Sequence, residues 1–122
     1  MIDDVRRLTR KYYPTIKQIR RKLHEIPELG NKETKTKAYI KQQLKLLTNF
    51  KVEEVLETGL IASIKGSKTG NIIALRADMD AMPIEEVNEI PYKSKHPGVM
   101  HACGHDAHMA ILLGVAYLLN DL

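Results

Sequence analysis

Apolar residues at the start of the chain recur with helical spacing. Val5, Leu8, Ile16, Ile19, Leu23 and Ile26 predict a helix over Asp3–Ile26. Pro14 falls inside it. Proline lacks an amide donor and its ring clashes with the preceding turn, so a break or kink is expected near Tyr13. Pro27 and Gly30 close the segment, and Asn31 is placed to cap a second helix running to about Leu47. The apolar face of that helix is Ile40, Leu44 and Leu47. The period then changes. Val52–Leu56, Leu60–Ile64 and Asn71–Asp78 read as short strands, separated by turns at Gly59 and between Gly66 and Gly70. The run Ile72, Ile73, Ala74, Leu75 has no alternation, which suits a central strand buried on both faces. Pro83 to Gly98 is a long polar connection. Gly104–Leu122 is a last helix whose Ile111, Leu112, Val115, Leu118 and Leu119 would pack on the sheet. Two helices, three strands and a helix predict an α/β layered sandwich.

Composition narrows the class. Hydrophobic residues make up 43% and charged residues 28% of the 122, so disorder and fibrous architectures are excluded. No apolar run reaches the ~18–20 residues of a membrane helix, and the N-terminus lacks the apolar core of a secretory signal. A cytoplasmic protein without membrane partners is the expectation. The single cysteine, Cys103, rules out a disulfide framework within the chain. The net charge of +4 conceals an asymmetry. Residues 1–51 carry 14 Lys/Arg against 5 Asp/Glu, and residues 52–122 carry 5 against 10. No aromatic residues interleave with the basic ones as in a single-strand binder, so the basic half reads as solvated helix faces and no nucleic-acid partner is expected. The acidic half is where a cation site belongs.

Three segments carry chemistry. The strand-end run Leu75-Arg76-Ala77-Asp78-Met79-Asp80-Ala81-Met82-Pro83 puts Arg76, Asp78 and Asp80 on one face if the strand continues that far. Carboxylates there can coordinate a cation, orient a ligand histidine or share a proton; surface aspartates in a turn are the plain alternative. The run MHACGHDAHM, Met100 to Met109, places three histidines, a cysteine and an aspartate within eight residues. Imidazole and thiolate are the usual ligands of zinc and similar divalent metals. Gly104 lets the chain turn between Cys103 and His105, His105 and His108 can share a helical face, and Asp106 can orient a ligand imidazole. A Cys–His nucleophile pair and a closed structural zinc site are rivals; an open catalytic site completed elsewhere fits better. The third segment, Arg20 to Gly30, is a basic helix end. Its His24 reads as structural, with a partner that spacing does not name.

Taken together, RRKLHEIPELG, ETGLIASIKG, IIALRADMDAMPIEE and MHACGHDAHM, in this order, resemble the N-terminal part of the bacterial and plant N-acyl-amino-acid amidohydrolases. That group includes hippurate hydrolases, auxin-conjugate hydrolases and N-acetyldiaminopimelate deacetylases, within the aminoacylase and carboxypeptidase superfamily of dinuclear metallohydrolases. The resemblance spans about Arg20 to Asp121. It implies an α/β fold, the N-terminal part of an α/β/α layered catalytic domain with a mixed sheet. It implies that Cys103 and His105 are metal ligands and that Asp78 and Asp80 match the aspartates of the family motif, one of them orienting a ligand. Alignment on Arg76 favours Asp78, and alignment on Pro83 favours Asp80. Two divalent ions (Zn, Mn, Co or Ni), a small-molecule N-acyl amino acid substrate and a homo-oligomer are implied for the complete enzyme. The family's Glu-Glu pair, later histidines and lid domain would all follow Leu122. Residues 1–122 are therefore expected to be an inactive N-terminal portion, with a non-catalytic metal-binding or interaction domain on the same scaffold as the alternative.

Overall fold

A computed structural model describes residues 1–122. The elements are α1 (Ile2–Glu25), α2 (Thr34–Leu44), β1 (Phe50–Val55), β2 (Gly59–Ile64) and α3 (His105–Asp121). Apolar faces of the three helices meet in one core of Ile19, Leu23, Ile40, Leu44, Leu47, Met109, Ala110, Leu113 and Ala116. Hydrophobic burial of these side chains is the main stabilising term, at about 1.5–3 kcal/mol for each large one.

The expected break at Pro14 does not occur: α1 runs through it. Pro14, Tyr13 and Arg10 lie on the exposed side, where water can reach the Arg10 carbonyl that loses its amide partner. The start of α2 also differs from expectation. Asn31 makes the preceding turn, with φ 64, a left-handed conformation that asparagine tolerates. Glu28 caps the helix from a distance. Its Oε1 accepts from the Thr36 amide at 2.7 Å and its Oε2 from the Lys35 amide at 3.1 Å.

β1 and β2 form an antiparallel hairpin in the register Phe50↔Ile64 to Val55↔Gly59. The third expected strand is absent. Residues 71–80 are irregular, and Ile72 and Ile73 are 99% and 83% exposed. A strand exists through its hydrogen-bonded neighbours. The apolar run has none here, so the α/β chain contains a two-stranded antiparallel sheet and not a mixed one.

α3 corrects a related expectation. It is apolar nearly all round, as helices buried on two sides are. Met109, Ala110, Leu113 and Ala116 are buried, whereas Ile111 is 60% exposed and no strand lies on that outer face. At Gly114, α3 crosses α1 so closely that an added Cβ would lie 2.5 Å from Cδ1 of Ile16. The 83–98 connection carries no regular structure but is strapped to the end of α1. The Lys95 amide donates to the Glu25 carbonyl at 3.0 Å, and His96 Nδ1 donates to the Pro27 carbonyl at 2.6 Å.

Candidate metal centre

Gly104 takes φ 81 immediately before α3. Nothing lies within 4 Å of where a Cβ would be, so glycine is required here by conformation and not by space. The turn places His105 at the first helical position, half-buried, beside residues 80–82. Those residues are held from both sides. The Ala81 amide donates to the Glu28 carbonyl at 2.8 Å, and Met82 and Met100 exchange backbone hydrogen bonds at 2.9 and 3.0 Å. His105 Nδ1 donates to the Asp80 carbonyl at 2.8 Å, with Asp80 Oδ1 3.0 Å away. A proton fixed on Nδ1 leaves Nε2 with its lone pair, the form in which imidazole binds a cation.

The other expected site residues are placed differently. Asp78 turns to Arg76, whose guanidinium donates to Oδ1 at 2.5 Å. It makes no bond to His105. Cys103 is exposed and carries a free thiol. His108 is exposed, with its ring centroid 6.0 Å from that of His105. His101 is buried, yet neither ring nitrogen has a hydrogen-bond partner. Burial pushes its pKa down to about 4; the Asp106 and Asp80 charges act upward, and His24 and His105 act downward. An unpartnered buried imidazole costs about 1–3 kcal/mol unless water or a ligand meets it. No group of three His, Cys, Asp or Glu side chains is gathered closely enough to enclose a metal ion. A thiol and an imidazole two residues apart, with the imidazole tautomer fixed, suit one corner of a zinc-like site, where a catalytic centre uses three protein ligands.

Asp106 makes no hydrogen bond to His101, His105 or His108. Its fully buried carboxylate faces His24 instead, with Oδ2 2.7 Å from Nδ1 of His24 and 3.0 Å from Nε of Arg20. The other ring nitrogen of His24 lies 3.0 Å from Oε2 of Glu86. Glu86, which the sequence pattern did not single out for this role, also accepts from the Ser94 amide at 2.7 Å and from Asn88 at 3.1 Å. Burial raises its pKa, but these bonds outweigh that and hold it at about 2. Tyr92 closes the cluster, edge-on to His24 and under the Arg21 guanidinium. His24 is thus structural, as its sequence context indicated, and its partners lie 62 and 82 residues away.

The model of peptidase family M20/M25/M40 matches residues 74–122. Thermostable carboxypeptidase 1 of Saccharolobus solfataricus is 49% identical over 98% of this chain and 30% of its own length. N-acetyl-L-cysteine deacetylase of Bacillus subtilis is 53% identical over 84% of this chain and 25% of its own. A crystal structure of a dinuclear metal-binding M20 peptidase from Bacillus subtilis superposes with a TM-score of 0.87 and 44% identity, over 92% of this chain and 32% of that one. The chain spans about a third or less of the length of these relatives. Resemblance by motif, by identity and by backbone agree: residues 74–122 match peptidase family M20/M25/M40, and the chain is similar to the N-terminal part of its members.

Proposed function

We propose that this chain supplies the metal-binding wall of an amidohydrolase that cleaves the amide of small N-acyl amino acids in the cytoplasm. The observation that carries the reading is the His105 ring, held at Nδ1 by Asp80 and free at Nε2, two residues from the Cys103 thiol. Cys103 and His105 would hold a divalent metal (Zn, Mn, Co or Ni), in a centre that takes two ions in the complete enzyme. Asp80 is the aspartate that orients a ligand, and Asp78 stands behind it, paired with Arg76. A bound metal would acidify water and polarise the amide carbonyl. What the chain's own residues do is fix a tautomer and present a thiolate at a turn. Similarity to an N-acetyl-L-cysteine deacetylase supports the substrate class, and similarity to a dinuclear metal-binding peptidase supports the ion count.

Two protein ligands are fewer than the three of a catalytic zinc site. Residues 1–122 alone should therefore bind Zn²⁺ or Co²⁺ weakly and should not turn over N-acetyl or N-benzoyl amino acids with Zn²⁺, Co²⁺ or Mn²⁺ added. Titration of Co²⁺ against Cys103→Ser and His105→Ala checks the ligands: each should weaken binding at least tenfold. Unchanged binding in both variants would discard the assignment.

A further inference from the structure

We propose that Arg20, His24 and Glu86 are positioning residues for His105, acting through the buried carboxylate of Asp106; this rests on reading His105 as a metal ligand. α3 begins at His105, and its N-cap residue Gly104 has no side chain to cap the first turn; Asp106 Oδ1 accepts from the Ala107 amide at 2.9 Å within it. The other restraints on that turn are long-range. Asp106 is the next residue, about 100° further round the helix. Its Oδ2 is held by Nε of Arg20 at 3.0 Å and by His24 at 2.7 Å, both from α1. His24 is held in turn by Glu86, on the connection strapped over α1.

Each His24 ring nitrogen faces a carboxylate, Asp106 on one side and Glu86 on the other, and Arg20 meets the same Asp106 oxygen. A buried charge stays buried only if it is paired, so loss of one member leaves another uncompensated. The first turn of α3 is therefore set at two points. Asp106 locks it toward α1, and His105 meets the Asp80 carbonyl on the other side at 2.8 Å. Loosening the first point lets the turn rotate, and a ligand ring tolerates only about 10–20° before its geometry is lost.

The test uses the chain with Glu86→Gln and His24→Gln, and with Leu8→Ala as a core control near the far end of α1, where Leu8 is buried. Two readouts are taken. Nitrogen-15 NMR of the metal-free chain at about pH 8, above the ordinary imidazole range, gives the His105 tautomer, and titration gives the Co²⁺ affinity. The wild-type ring should be a single Nδ1–H tautomer. Glu86→Gln and His24→Gln should mix the two tautomers and weaken Co²⁺ about tenfold, in the range seen for residues that orient ligands. Leu8→Ala should lower only the melting temperature. A folded Glu86→Gln chain with the wild-type tautomer and affinity overturns the proposal. Glu86→Gln preserves volume, so it decides the matter by itself if His24→Gln does not fold. Absence of Co²⁺ binding by the wild-type chain overturns the ligand reading instead, and the tautomer alone then decides the positioning role.

Discussion

Glu86 shows how one side chain couples folding to acidity. Its carboxyl sits at about 2 in the folded chain against an ordinary 4.5. Above pH 4.5 it is ionised whether the chain is folded or not, and its stabilisation is complete. As the pH falls from 4.5 toward 2, the unfolded chain takes up a proton that the folded chain refuses, and the stabilisation is lost across that window. The contribution is on the order of 3 kcal/mol. Urea titrations at several acid pH values should show Glu86→Gln less stable near neutrality and flatter across the window. Parallel acid profiles would remove Glu86 as the cause. His24, Asp106 and Glu86 also mark the limit of sequence reading. Their mutual contact is not legible, because a pairing across 62 or 82 residues leaves no local pattern. Cys103 and His105 stand out because three histidines, a cysteine and an aspartate crowd into eight residues, whereas the choice between Asp78 and Asp80 has no local signal, since the contact of Asp80 with His105 spans 25 residues.

At the scale of elements, helical periodicity was legible and strand identity was not. Leu23, Ile40 and Leu44 sit where their spacing put them, in the core. The run Ile72–Leu75 carries the composition of a buried strand, but pairing depends on chains lying alongside, which a single segment cannot encode. Pro14 misled in the opposite direction, since its cost falls on a carbonyl that water can reach. The contact between α1 and α3 rests on Gly114. Gly114→Ala would drive a methyl group into Ile16 and should destabilise by about 1–3 kcal/mol despite alanine's better helix propensity. Gly114→Ala combined with Ile16→Val should recover part of the loss. A melting temperature that rises in the single variant would show that the helices separate freely.

The whole molecule carries an uncovered apolar surface. Ile72, Ile73 and Leu75 from the irregular run and Ile111 and Leu119 from α3 are all exposed, and Leu75, Ile111, Leu112 and Val115 line a shallow hollow between the two segments. Unpaired backbone beside exposed isoleucines is a template for association. Sedimentation should show self-association that grows with concentration, and Ile73→Lys should reduce it. A monomer at all concentrations would mean that the surface is satisfied in another way. No helix is long and apolar enough to cross a membrane.

Glu28 has one more consequence. Its carboxylate caps α2 through the Lys35 and Thr36 amides, while its backbone carbonyl holds the Ala81 amide next to Asp80. A single residue thus joins two distant stretches into one opening unit. Deuterium should enter at Thr36 and Ala81 in step, with one shared protection factor, and Glu28→Gln should speed both. The tempo at which α2 breathes would then be the tempo at which the floor beneath His105 comes and goes.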